Sequence, residues 1–316
     1  MKRGPLERHP KNPILRPSDM PMECSAVFNS GATVFDGKVL LLLRVEDCAR
    51  DMFFHVATST DGVNFDVNPE PVDYPKTREI ERVFGGVQYF DPRITKLDDV
   101  YYICHAVWIT GLGCVGGMAK TTDFVHFEPM PYTSVPSNRN MALFPEKING
   151  LYARLERPFD SNTGGQIWVS YSPDLRYWGD SLPVKTPVNG WNNKKTGPGA
   201  PPIKTPAGWL LIYHATAATC STENYYLGVM LLDLEQPHKI IAHSRKFILE
   251  PERIYECAGQ VPNVVFTCGA VEMPDGTLNV YYAGADTCMC LATTTIDEIV
   301  DYCRKNREVT CGDALS

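Results

Sequence analysis

Short apolar runs alternate with turn-forming pairs along this chain, and they recur in phase. One unit is a turn followed by a strand-like run that ends on a polar side chain. It runs from Asp36-Gly37 to Arg44, from Asp98-Asp99 to His105, from Asn149-Gly150 to Arg157 and from Ala207-Gly208 to His214. A fifth copy runs from Asp275-Gly276 to Tyr282. The turn positions 37, 99, 150, 208 and 276 lie 62, 51, 58 and 68 residues apart. Asp-Gly and Asn-Gly between apolar runs are strong hairpin signals.

A second unit follows the first: a strand, a turn, then an aromatic that opens the next strand. It spans Ala57–Phe65, Ala119–Phe127 and Val169–Trp178, with a degenerate copy at Gly228–Leu234. Five copies of a four-strand pattern predict an all-β fold, a five-bladed β-propeller. Each blade would leave an apolar face that only its neighbours can cover, so the chain reads as one domain, residues 1–316. The propeller is expected over about residues 12–295. One short C-terminal helix is expected at 296–307, packed on the outside. A β-sandwich with coincidental turns is the competing architecture, but sandwiches rarely repeat both units in phase.

Composition narrows the function classes. The 316 residues are 44% hydrophobic and 21% charged, which suits a large soluble core. Net charge is −7, and no basic run stands out, which argues against a nucleic-acid partner. The N-terminus lacks an apolar leader segment, and no apolar run is long enough to span a membrane, so a cytoplasmic location is expected. Cys104, Cys268, Cys288 and Cys290, four of 11 cysteines, sit in strand-like runs and read as buried reduced thiols. Cys288-Met289-Cys290 is too tight for zinc, and no metal site is expected.

Candidate chemistry centres on Phe90-Asp91-Pro92-Arg93. The proline biases Asp91 toward extended or turn geometry. A carboxylate flanked by aromatics is a candidate acid with a raised pKa, or else a turn residue. The polar ends Arg44, His105, Arg157 and His214 should converge on one axial pocket, because repeats place equivalent positions at equivalent radius. For His105, a packed core histidine is the alternative. Asn29, Arg139, Lys195 and Asp286 flank the same strands. Arginine with lysine and histidine is a set suited to a tetrahedral anion, although each alone reads equally as a surface charge.

Several segments together resemble the β-mannoside phosphorylases of glycoside hydrolase family 130. They are Asn12-Pro13-Ile14, Phe28-Asn29-Ser30-Gly31-Ala32, Asp91-Pro92-Arg93, the run Leu143–Gly150, the run Gly208–His214 and Gly284-Ala285-Asp286-Thr287. The resemblance covers nearly the whole chain and implies a five-bladed propeller. It implies that Asp91 is the general acid and that Arg139, Arg157, Lys195, His214 and Tyr226 bind phosphate. It further implies that Asn29, Arg44, Asp47 and Asp286 hold the mannosyl unit. Phe90 and Gly197-Pro198-Gly199-Ala200-Pro201 depart from the family pattern. Both are expected to bear on the acceptor sugar without touching the catalytic set.

The implied reaction is inverting phosphorolysis of β-mannosides. Asp91 would protonate the glycosidic oxygen, directly or, as the resemblance implies, through a sugar hydroxyl. Phosphate would attack the anomeric carbon, giving α-mannose 1-phosphate and a shortened acceptor. Inorganic phosphate is then a co-substrate and no cofactor is expected. A hydrolase on the same propeller would need a base to activate water. A non-catalytic glycan-binding propeller would need aromatic platforms, for which Trp108, Trp191 and Tyr225 are candidates. The linkage (1,2 or 1,4), the acceptor and any homo-oligomer are left open by these motifs.

Overall fold

Both repeat units form as their patterns predict, and together they build five antiparallel sheets. The structure, a computed structural model, describes residues 4–74, 86–161, 164–220 and 222–307. From channel to rim, blade 1 takes Ala26–Phe35, Lys38–Glu46, Met52–Ser59 and Asp66–Val67. Blade 2 takes Val87–Leu97, Val100–Ile109, Gly113–Thr121 and Glu128–Pro129. Blade 3 takes Asn138–Leu143, Tyr152–Asp160, Trp168–Ser172 and Gly179–Pro183. Blade 4 takes Lys195–Pro198, Gly208–Ala218, Glu223–Leu232 and Ile240–His243, with Ile203–Thr205 extending its inner edge.

Blade 5 is assembled from both ends of the chain. Val265–Glu272, Thr277–Gly284 and Cys288–Thr295 receive their outer strand from Glu7–Arg8, with Glu7 opposite Thr293 and Arg8 opposite Ala292. The ring is therefore closed by residues ahead of the expected start at 12. Arg8 fastens the closure, donating from Nε to Glu256 Oε1 at 2.7 Å and from Nη2 to the Glu250 carbonyl.

The turn chemistry explains the repeat. Asp36, Asp98 and Asn149 take φ of 48°, 52° and 51°, the left-handed region that Asp and Asn tolerate better than other side chains. In the second unit, a carboxylate organises each turn. Asp61 Oδ1 accepts from the amides of Val63 and Asn64, Asp123 Oδ1 from Val125 and His126, and Asp174 Oδ1 from Arg176 and Tyr177. The degenerate fourth copy keeps the same device: Asp233 Oδ1 accepts from Glu235 and Gln236. In blade 5 the corresponding segment opens the helix Ile296–Lys305 instead, capped by Thr295 accepting from the Glu298 amide.

Apolar clusters fill the spaces between blades, and strand alternation assigns each residue to one space. Leu40 and Leu42 face blade 2 with Ile94 and Ile103, whereas Val39, Leu41 and Leu43 face blade 5 with Tyr281 and Met289. Burial on both faces is why the second strands read as unbroken apolar runs. The helix lays Ile299, Val300 and Cys303 against Leu231 and Ala242 of blade 4 and Ala292 of blade 5. Cys104, Cys268, Cys288 and Cys290 are buried free thiols, as expected. Among the described residues, no helix is long and apolar enough to cross a membrane.

Candidate active site

The site begins with a bulge repeated in three inner strands. Register breaks between Phe28 and Gly31, between Phe90 and Arg93, and between Arg139 and Ala142. The first residue of each bulge has positive φ: Asn29 at 45°, Asp91 at 53° and Asn140 at 62°. A bulge re-aims a side chain out of the strand's alternation, and Asn and Asp accept the left-handed backbone. Three polar side chains are thus presented at equivalent points of three successive blades. The innermost strands supply them; the strands that end on Arg44, Arg157 and His214 are second from the channel.

Asp91 is buried and held on one oxygen. Asn29 Nδ2 donates to Asp91 Oδ1 at 3.0 Å and Arg44 Nη1 donates to the same oxygen at 2.7 Å. The Arg44 guanidinium is sandwiched between the rings of Phe28 and Phe90, each centroid 4.2 Å away. The expectation of a raised pKa for Asp91 is corrected here. Burial pushes the carboxyl up, but Arg44, Arg139, Arg93 and the Asn29 hydrogen bond outweigh it and hold Asp91 below its ordinary value. Asp286 behaves in the opposite way. It follows Ala285 in a turn where both have φ of 48°, and burial, opposed by Arg44 and reinforced by Asp91, pushes its carboxyl up to about 6.

Two cations stand beside this pair. Arg139 and Arg157 are directly opposite in the antiparallel register of blade 3. Burial first, and then the charge of Arg139, lowers Arg157 to about 10. The Nε groups of Arg44, Arg139 and Arg157 and the Oδ1 atoms of Asn29 and Asn140 are buried and find no hydrogen-bond partner among the described residues. His214, fully buried, lies behind Arg157. Burial and the charges of Arg157, Arg93 and Arg139 hold its ring neutral. Its Nδ1–H donates to the Pro198 carbonyl at 3.2 Å, and its Nε2 accepts from Arg157 Nη1 and Asn140 Nδ2, both at 3.2 Å. A Cβ at Gly197 would lie 2.6 Å from His214 Nε2 and 3.1 Å from Arg157 Cδ, so this position must stay bare.

Lys195 opens the inner strand of blade 4. Its Nζ pairs with Glu223 at 2.7 Å and lies 5.9 Å from the Tyr225 ring centre. Tyr225 also stacks toward His214, with centroids 6.3 Å apart. Tyr226, expected among the phosphate residues, is instead on the opposite face, against Trp191 and Phe247. Strand alternation is the reason: Tyr225 pairs with Thr216, two residues from His214, and Tyr226 with Ala215. Asp47 follows directly on the second strand of blade 1, and its Oδ1 caps a turn by accepting from the Ala49 and Asp51 amides.

His105 is a third correction. It does not reach the channel. The position in register with Arg44 and Arg157 is Ala106, opposite Phe90. His105 is one residue out of phase and points into the space between blades 1 and 2, where Nδ1 meets the Tyr74 hydroxyl at 3.0 Å among Phe54 and Tyr89. Phe90 and the 197–201 loop are a fourth. Both touch the catalytic set, Phe90 through Arg44, and the loop through the Pro198 and Gly199 carbonyls. Asn140 and Arg93 had no assigned role in the sequence, and Tyr225 was a candidate only as an aromatic platform; the bulge equivalence with Asp91 is the signal that finds Asn140.

Comparison with known proteins agrees with this geometry. The glycoside hydrolase family 130 model, described as β-1,4-mannooligosaccharide phosphorylase, matches residues 5–305. The chain is 35% identical to a β-1,4-mannooligosaccharide phosphorylase of Ruminococcus albus, over 96% of this chain and 92% of that protein. It is 36% identical to a 1,2-β-oligomannan phosphorylase of a Thermoanaerobacter species, over 93% and 98% respectively. Among solved structures, a β-1,2-mannobiose phosphorylase from Listeria innocua superposes with a TM-score of 0.84 at 29% identity, covering 95% of this chain and 99% of that one. With the fold, the bulged inner strands and this match along almost its entire length, the chain belongs to glycoside hydrolase family 130.

Proposed function

We propose that this protein cleaves β-mannosides with inorganic phosphate, giving α-mannose 1-phosphate and a shortened acceptor with inversion. One observation carries the reading. Arg139 and Arg157 are like charges placed directly opposite each other, Arg157 buried and Arg139 half-buried. Asp91 and Asp286 offset the charge of Arg139, whereas burial and Arg139 leave Arg157 below its ordinary value, and an anion between the two would restore it. The unpartnered Nε atoms are the donors such an anion would take up. The relatives' names, phosphorylases of mannooligosaccharides, support the same chemistry.

In this reading Asp91 is the general acid. An inverting hydrolase needs a second group to activate water; phosphate is already a nucleophilic anion, so the cations replace that base. The free protein holds Asp91 ionised through Arg44 and Arg139. Bound phosphate offsets that cationic field, so the carboxyl gains its proton in the loaded site. Arg139, Arg157 and Lys195 hold the anion, with Asn140 and Tyr225 beside them. His214 stays neutral and orients Arg157. Asn29, Arg44, Asp47 and Asp286 face the mannosyl unit. The described cysteines are free thiols, which supports a reducing, cytoplasmic setting.

Product analysis tests this. The protein is incubated with β-1,4- and β-1,2-mannobiose, with and without phosphate. Mannose 1-phosphate formed only with phosphate is the expected result. Free mannose at a rate indifferent to phosphate overturns it in favour of a hydrolase. No cleavage under any condition favours a glycan-binding propeller.

A further inference from the structure

Arg93 is fully buried, yet every hydrogen bond it makes among the described residues goes to a neutral backbone carbonyl. Nη1 donates to the Asp91 carbonyl at 3.0 Å, Nη2 to the Pro198 carbonyl at 3.1 Å and Nε to the Gly199 carbonyl at 2.6 Å. A buried guanidinium without a bonded carboxylate is expensive to desolvate.

What the charge does is join two blades that are not neighbours. Asp91 lies on the inner strand of blade 2 and Pro198 on that of blade 4. The Pro198 carbonyl is shared: it accepts from Arg93 Nη2 and from His214 Nδ1. His214 Nε2 in turn accepts from Arg157 and Asn140. One chain of hydrogen bonds therefore runs from the acid's own carbonyl, through Arg93, the Pro198 carbonyl and His214, to the cation that faces phosphate. The planar guanidinium, with donors in fixed directions, sets all three carbonyls at once; a lysine ammonium cannot.

We propose that Arg93 is a positioning residue that holds the acid and the phosphate-binding cations in register across the channel. This rests on the phosphorolysis reading above. Arg93 touches neither substrate; it acts through the Asp91 bulge on one side and through His214 on the other.

The test uses Arg93→Lys and Arg93→Gln in the full chain, with β-1,4-mannobiose and inorganic phosphate varied separately and thermal unfolding measured in parallel. The expected result is a folded protein whose kcat falls about tenfold to a hundredfold, the scale of a small misplacement of reacting groups. The phosphate KM rises severalfold while the mannobiose KM changes by less than about twofold. Histidine labelled with nitrogen-15 gives a second readout: the His214 ring loses its single Nδ1–H tautomer in the variants. Wild-type kcat and phosphate KM in Arg93→Lys overturn the proposal. So does failure of both variants to fold, which assigns Arg93 to the stability of the ring. The unaltered protein in the same assay reads the underlying chemistry. If it releases free mannose regardless of phosphate, the phosphorolysis reading has failed; if it phosphorolyses normally and only the Arg93 variants are unaffected, the proposal alone has failed.

Discussion

Arg139 and Arg157 face each other across the first two strands of blade 3, one cation in register with another. Carboxylates offset Arg139, but burial and Arg139 hold Arg157 below its ordinary value, a cost that a bound anion would relieve. Inorganic phosphate should therefore raise the midpoint of thermal unfolding, by mass action on the native state. At a hundred times its dissociation constant the gain is about 2.7 kcal/mol. Chloride at equal ionic strength should give much less, and Arg157→Ala should abolish the shift. An unchanged midpoint with phosphate in the unaltered protein would remove the anion site.

Asp91→Asn keeps the side chain's size and its place in the bulge but removes the proposed proton donor. Turnover of β-mannobiose should fall by about a hundredfold or more. The phosphate-induced thermal shift should persist, because the cations are intact. Near-normal turnover would move the acid elsewhere, with Asp286 the next candidate.

Asp286 carries a pH signature. Its carboxyl is ordinarily at 3.8 and is raised to about 6 in the fold. A raised acid binds its proton more tightly in the native state than in the unfolded chain, so its contribution is fully present below about pH 4 and is lost as pH rises through about 6. Asp286→Asn should therefore be more stable than the unaltered protein at pH 7, by up to about 3 kcal/mol, with little difference at pH 4. Thermal unfolding at the two pH values checks this; equal stability at pH 7 would place the carboxylate in a better solvated setting.

Gly197→Ala tests the space beside the cations. The added methyl group would lie 2.5 Å from His214 Cε1 and must displace the ring or Arg157. The phosphate KM should rise at least severalfold, while global unfolding shifts by no more than the roughly 1–3 kcal/mol of an overpacked site. Unchanged phosphate saturation would show that the ring has room to move.

The blades were legible because their turns need special chemistry. Asp36, Asp98 and Asn149 carry left-handed backbone that few other side chains tolerate, so each leaves a mark in the sequence. Asp91 was legible through its proline. What escaped was phase. Strand alternation turns a one-residue error into the wrong face; hence His105 for Ala106 and Tyr226 for Tyr225. Arg93 escaped for a different reason: its partners are carbonyls, which every residue has, so no side-chain pattern announces them. The depression of Asp91 was equally hidden, since it depends on three arginines from separate strands and blades.

Closure of the ring by Glu7–Arg8 has a consequence for biosynthesis. Glu7 finds its partner Thr293 only after the strands of all five blades have been made. The turn that carries Asp286, between the second and third strands of blade 5, joins blade 1 at the same moment, since the Val27 amide donates to the Thr287 carbonyl across that seam. A nascent chain is therefore inert however well its early blades have formed, and the seam between first and last blades is where activity switches on. Removing residues 1–8 should leave most strands able to pair while opening that seam, so loss of turnover should exceed loss of β-sheet signal in circular dichroism.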